Sequence, residues 1–368
     1  MKLMLHEQII KGVVHDLHLF EPEIYADQEA FGRSGHTGHA MTEFAPGKVL
    51  DFNSNTSGKR FEGHSNFGWV ETRISTDWGR TFDSPKILPY SWDTLLDGQQ
   101  TISVEKAVTA PDGSISAFCL RGSQKNEICH QPYDSPTRIR SEDGGLTWSD
   151  AEEVSPYPGR IYDAILHDSC IYFLMFCSDA SISFCGVGPE DVYRLYRSDD
   201  NGKTFREICI VPFPDTNGRG YGNMSVSPCG ELIVYAYNLN DEYRMDYIIS
   251  PDWGKTWKNA GVSYVAKRIR NPQIGILDEQ YILHGRAGED ETGDGAFVIY
   301  TSADGVHWDD GKILVEERSA CFYSNNLVIT DPNGKERMLV QYSENYHIRE
   351  PGIWRAQTNV MHMWLESI

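Results

Sequence analysis

Apolar residues along this chain gather in short runs bounded by turn residues, and nowhere do they hold a 3.6-residue period long enough for an extended helix. Gly68-Trp69-Val70-Glu71-Thr72-Arg73-Ile74 and Phe297-Val298-Ile299-Tyr300-Thr301 are strand-like, as is Ala117-Phe118-Cys119-Leu120. Near the C-terminus, Phe322 to Ile329, Arg337 to Tyr342 and Gly352 to Leu365 read as further strands. The pattern predicts an all-β protein built from many short strands, with no linker or low-complexity stretch to divide it.

The runs are punctuated by a repeated octapeptide. Ser75-Thr76-Asp77-Trp78-Gly79-Arg80-Thr81-Phe82 recurs from Ser141 to Trp148, from Ser198 to Phe205 and from Ser250 to Trp257. A shortened copy runs from Ser302 to Trp308, and the serines are spaced 66, 57, 52 and 52 residues apart. In the pattern S-x-D-x-G-x-T-W/F, the Ser and Asp side chains can hold nearby backbone N–H groups. Gly accepts a positive φ, and the closing aromatic enters the core. Each copy follows a strand, so each is expected to be a hairpin tip rather than a reaction centre.

These octapeptides resemble the Asp-boxes, or bacterial neuraminidase repeats, of the sialidase superfamily. The resemblance covers nearly the whole chain and implies a six-bladed β-propeller of four-stranded antiparallel blades with Asp-box turns. Units of 52–66 residues agree with blades of about four strands each. The residues after Ser302 suffice for a box-less sixth blade, with Ile9 to Phe20 expected to add its outermost strand. The reading is therefore a single domain over residues 1–368.

In a propeller the inner strand of each blade begins at the central channel, so ligand groups come from equivalent points on six strands. Stepping back about nine residues from each first hairpin turn gives His36, Thr37 and His39 in blade one. The same step gives Ser103, Glu105 and Lys106 in blade two, and Arg160, Tyr162 and Asp163 in blade three. Blades four to six yield Tyr221 and Asn223; Arg268, Arg270 and Asn271; and Tyr323, Asn325 and Asn326. Paired donors, acceptors and aromatic faces of this kind suit a sugar pocket.

The resemblance implies specific roles for some of these. The sialidase nucleophile lies in a Tyr-Ser motif on the sixth inner strand, which Tyr323-Ser324 matches, and Glu344 matches the acidic residue that follows. The general acid falls at His64, where sialidases have Asp. Their Glu partner falls at Tyr221 or Asn223, and the first arginine is absent from Gly35-His36-Thr37-Gly38-His39-Ala40. The second arginine falls near Tyr237, and the third has no match in Ala296-Phe297-Val298. Arg270, Arg160 or Lys106 could replace them as a carboxylate clamp.

Three readings follow. An exo-acting glycosidase on a sialic-acid-like or other acidic sugar would use Tyr323 as nucleophile and His64 as acid/base. A uronate-specific polysaccharide lyase would use His36, His39 and His64 with Tyr221, Tyr323 and Arg270. A non-catalytic glycan-binding propeller would stack sugars on Trp69, Tyr162 or Tyr221, although core packing is the ordinary role of Trp69. His36-x-x-His39 would project to opposite faces of a strand, so no metal is expected, and no cofactor is called for.

The partner these readings share is an oligosaccharide or glycan, and charge argues against two other classes without naming the ligand. With 53 acidic and 33 basic residues the net charge is −20, which opposes non-specific nucleic-acid binding and docking on an anionic membrane. No apolar run approaches ~20 residues, and the stretch from Met1 to Val14 is interrupted by His6, Glu7, Gln8 and Lys11. With no signal-peptide pattern and no C-x-x-C pair among eight cysteines, the expectation is a cytoplasmic protein with buried, reduced thiols. Oligomeric state is left open.

Overall fold

The computed structural model describes residues 6–35, 38–57, 59–60, 68–123, 133–177, 192–214, 218–287, 294–318, 323–343, 348–350, 353–355 and 358–368. The chain forms two compact units. One comprises Gln28–Val211 with Ile348–Gln357; the other comprises Met1–Asp27, Pro212–His347 and Thr358–Ile368. Each carries three large antiparallel sheets, which we number as blades one to six in chain order, and the first also holds a small three-stranded sheet.

In the first unit, blade one sets Lys48–Ser57 between Gly68–Ser75 and the two short strands Arg33–Ser34 and His39–Ala45, with Lys86–Ile87 at the edge. Blade two is Gln100–Thr109, Ile115–Ser123, Thr137–Ser141 and Glu152–Glu153. Blade three is Gly159–His167, Cys170–Cys177, Val192–Ser198 and Arg206–Ile210. Strand faces interdigitate in two apolar clusters, one around Leu50, Phe52, Val104 and Ile139 and one around Phe118, Ile171 and Phe173. The α-helix Pro89–Asp97 links blades one and two; Pro at its start and Gly98 at φ 69 fix its ends.

In the second unit, blade four is Arg219–Val226, Leu232–Asn238, Arg244–Ser250 and Gly261–Tyr264. Blade five is Arg270–Leu277, Gln280–Arg286, Asp294–Ser302 and Lys312–Arg318. Blade six contains Ser324–Thr330, Glu336–Ser343 and Val360–Ser367, and the chain's beginning completes it. Leu17–Leu19 pairs with Val360–Ser367, and Gln8–Ile10 pairs with Leu17–Leu19. Leu17 and Leu19 are fully buried among Leu277, Phe297, Met338 and Leu365. The expected strand from Gly352 to Leu365 is two strands. Ile353–Arg355 belongs to a separate small sheet with Ile348–Glu350 and Lys59–Arg60, and only Val360–Ser367 enters blade six.

The octapeptides join the third and fourth strands of blades one to five. In the first, the Ser75 hydroxyl accepts from Gly79 N (2.9 Å) and donates to Asp77 (2.8 Å), while Asp77 accepts from the Thr81 amide (2.9 Å) and hydroxyl (2.7 Å). The same set recurs around Asp143, Asp200 and Asp252. In the shortened copy the His307 ring meets Asp304 at 2.6 Å in place of the threonine hydroxyl. At Gly202 the backbone needs φ 74, and a Cβ would lie 2.2 Å from the Ser116 hydroxyl, so only glycine fits.

One irregularity recurs on the inner strands. Against their neighbours, blades two, three and four each carry one extra residue at a register shift: Glu105, Tyr162 and Tyr221. Blade five has the same slip across Asn271-Pro272. Such bulges re-aim a side chain out of the pleat. At Tyr221 and Asn271 the backbone takes φ 45 and φ 51, a region non-glycine residues seldom occupy.

Candidate functional site

In the second unit, the bulge at Tyr221 turns its buried ring between Tyr237 and Tyr323, with ring centres 6.2 Å from each. The Tyr221 hydroxyl donates to the Tyr323 hydroxyl at 3.5 Å. Tyr323 is held at the head of blade six by a two-way backbone clasp. Its amide donates to the Ser343 hydroxyl (3.2 Å), and its carbonyl accepts from Ser343 N (2.9 Å). Its aromatic face carries the Arg286 guanidinium, 6.0 Å from the ring centre. Arg286 is the last residue of the second strand of blade five and is 8% exposed.

Arg270 opens the inner strand of blade five and shares Glu242 with Arg268; Glu242 lies 3.2 Å from Arg270 Nε and 3.0 Å from the Arg268 guanidinium. Burial works against the Arg270 charge, but Tyr237, Glu242 and Tyr323 outweigh it, so its pKa is raised and the guanidinium stays charged. Arg286 thus lies against the Tyr323 ring, and Arg270 interacts electrostatically with Tyr323. Asn223 serves a different purpose. Its amide donates to the Gly222 carbonyl (2.9 Å) and accepts from Ile274 N (3.0 Å), tying the inner strands of blades four and five together. Beneath Tyr323, the buried His284 ring contacts Ser324 and Asn326, each at 2.9 Å.

In the first unit, the expected residues of blades two and three form a charge network. Arg160 places Nε 2.9 Å from Glu105 and a second nitrogen at 2.5 Å, and its guanidinium lies 5.1 Å from the Tyr162 ring centre. Lys106 meets Asp163 at 3.1 Å, and Ser103 donates to Glu105 at 3.0 Å. Both cations are thus compensated within the unit, which weakens their case as open carboxylate clamps. Tyr162 is 4% exposed and packs against Phe176 and Tyr193. His39 is buried on the strand His39–Ala45, opposite Asn53. Trp69 lies between Arg33, 4.5 Å from its ring centre, and Trp92, a packing role rather than an open sugar platform.

His36, His64 and Glu344 lie outside the described residues. Of the rest, Tyr221, Tyr323 and Arg270 come together in one unit, while Lys106, Arg160, Tyr162 and Asp163 come together in the other. Arg286, Tyr237 and Glu242 are neighbours of Tyr323 or Arg270 that inner-strand register does not nominate as ligand groups. Arg286 and Tyr237 stand at the far ends of second strands, one hairpin beyond the positions that were counted, and Glu242 lies on the loop after blade four's second strand.

No family model matches the chain, and no curated protein does. Solved structures do. A protein of unknown function from Dyadobacter fermentans superposes with TM-score 0.70 at 14% identity, covering 96% of this chain and 99% of that one. A mutant of the NanB sialidase from Streptococcus pneumoniae gives 0.66 at 11%, covering 94% of this chain and 70% of that one. The fold is the six-bladed β-propeller of the sialidases. A Hadza microbial sialidase adds the same result at TM-score 0.63 and 16% identity, with 90% of this chain matched to 65% of that enzyme. At these identities the likeness establishes the scaffold, and the chemistry has to be argued from the side chains.

Proposed function

We propose that this chain is a carbohydrate-active enzyme, an exo-acting glycoside hydrolase for a sialic-acid-like or other acidic sugar, with Tyr323 as nucleophile. The observation that carries the reading is the Tyr221–Tyr323 hydroxyl contact beside Arg286 and Arg270. A phenol with an ordinary pKa near ~10 is a weak nucleophile at neutral pH. In the proposed reaction the hydrogen bond from Tyr221 and the charge of Arg286 and Arg270 support negative charge on the Tyr323 oxygen. The same cations suit a substrate carboxylate.

In the proposed reaction the Tyr323 oxygen bonds to the anomeric carbon as the glycosidic C–O bond breaks. The leaving oxygen takes a proton from an acid, for which His64 is the sequence candidate, and water then releases the sugar from Tyr323. The fold family supports the assignment of Tyr323, and the sialidase name of two structural neighbours supports an acidic sugar.

The test is a panel of aryl glycosides of sialic acid and uronic acids, with released aglycone measured for the parent chain and for Tyr323→Phe. We expect release by the parent and a loss of at least 100-fold in the variant. Full activity in Tyr323→Phe would overturn the nucleophile. Release of an unsaturated, ultraviolet-absorbing product from uronate oligosaccharides would replace hydrolysis with elimination.

A further inference from the structure

A second feature stands apart from Tyr323 and is confined to the first unit. Between the octapeptide turns of blades two and three lies a groove of about 430 Å³, within the size range of small-ligand sites. Its floor is made by Arg138 and Arg140, two residues apart on Thr137–Ser141 and so on one face of the strand. The neighbouring turn fixes both guanidiniums through backbone carbonyls: Gly202 accepts from Arg138, and Asn201 accepts from Arg140 at 3.2 Å.

Each arginine also meets a glutamate that is largely in water. Arg138 pairs with Glu152, 62% exposed, and Arg140 with Glu142, 75% exposed; Asp112 approaches Arg140 at 3.3 Å. The arginine side chains themselves are 4% and 9% exposed. The guanidiniums are thus rigid and buried while their glutamates are largely in water, so an incoming carboxylate can take a glutamate's place without leaving the guanidinium uncompensated. Burial lowers the pKa of Arg138, so a further anion beside it is favourable. Lys203 stands exposed at the rim, and the walls offer the Thr147 and Ser149 hydroxyls and the half-buried indole of Trp148, which leans on Phe52. Three cations and two carboxylates line this groove, with Asp112 a third carboxylate behind Arg140, in a chain of net charge −20.

We propose that this groove is a separate binding site for a carboxylate-bearing sugar unit of an acidic glycan. The sugar carboxylate displaces Glu142 or Glu152 from the fixed guanidiniums, the ring lies against Trp148, and Lys203 closes the rim. Such a site would hold a glycan independently of any chemistry at Tyr323.

The test is titration of the full chain with glucuronate, followed by ligand-observed NMR, with glucose and acetate as controls. Glucuronate is expected to bind several-fold more tightly than either control. Glu142→Ala, which removes a competing carboxylate, should tighten binding several-fold. Lys203→Ala should weaken it and Lys203→Arg restore it, while Tyr323→Phe leaves it unchanged. Both groove positions are exposed, so these variants should keep the parent melting temperature. Equal binding of glucose would overturn carboxylate recognition, and equal binding of acetate would overturn sugar recognition. No glucuronate binding at millimolar concentration, or binding unmoved by the Glu142 and Lys203 changes but lost in Arg286→Ala, would overturn the site.

Discussion

Tyr221 occupies a backbone conformation that costs a non-glycine residue on the order of 1–3 kcal/mol, and such strain persists only where surrounding structure enforces it. Here the ring is fixed against Tyr237 and the hydroxyl reaches Tyr323. Tyr221→Phe keeps both the strain and the packing while removing the hydroxyl. It should change stability by no more than about 1 kcal/mol. Under the proposed reaction kcat should fall at least tenfold with KM little changed, as steady-state kinetics on the aryl glycoside would read. Asn223 predicts the opposite pattern. Asn223→Ala leaves Ile274 N without its side-chain acceptor, so urea unfolding should report a loss of about 1–3 kcal/mol.

Among the elements, the octapeptide turns respond to pH. The Thr147 hydroxyl and amide lead the interactions that hold Asp143 at about 2. For Asp200, burial pushes upward, but hydrogen bonds from Thr204 and Ser198 prevail and again give about 2. A free aspartate titrates near ~3.9, so the folded state binds these protons less readily than the unfolded chain. The stabilisation is present above pH ~4 and is lost as the pH falls towards 2. Calorimetry at pH 7, 4 and 2.5 should show a steep drop in Tm over the last interval. The double variant Asp143→Asn, Asp200→Asn should melt lower at pH 7 and show a shallower drop.

These turns were the legible part of the fold, because Ser, Asp, Gly and Thr each act within eight residues of one another. The inner-strand positions were legible too, since a fixed count from a hairpin turn finds Glu105, Tyr162, Tyr221 and Asn271. Less legible was anything set by a neighbouring strand. Nothing local in Gly352 to Leu365 says that Ile353–Arg355 pairs with Lys59–Arg60, or that Arg286 at a second strand's end faces the Tyr323 ring. Nor does the composition of Arg160 and Lys106 announce that Glu105 and Asp163 will absorb their charge.

At the scale of the whole molecule, the two ends of the chain meet in one sheet. Leu17–Leu19 covers the edge of Val360–Ser367 and buries two leucines completely. Removing residues 1–20 would uncover that edge and the apolar surface beneath it. The truncated chain should melt at a markedly lower temperature and self-associate, as calorimetry and light scattering would show. Leu19→Ala, a milder form of the same lesion, should cost about 2–5 kcal/mol. Parent-like melting of the truncated chain would mean that the N-terminal strands contribute nothing to blade six.

The recurring inner-strand bulge has a consequence for how such a protein can change. A residue inside a regular ladder is answerable to its partners across the strand, so altering it disturbs pairing and packing together. Glu105, Tyr162 and Tyr221 stand outside that count, because the ladder closes around each of them as though it were not there. Replacing them would leave the ladder register alone and act instead through side-chain neighbours: Arg160 for Glu105, Phe176 and Tyr193 for Tyr162, Tyr237 and Tyr323 for Tyr221. The strand pairing and the side-chain chemistry are thus set by different contacts at these points: the first by the ladder on either side, the second by the groups each bulge reaches.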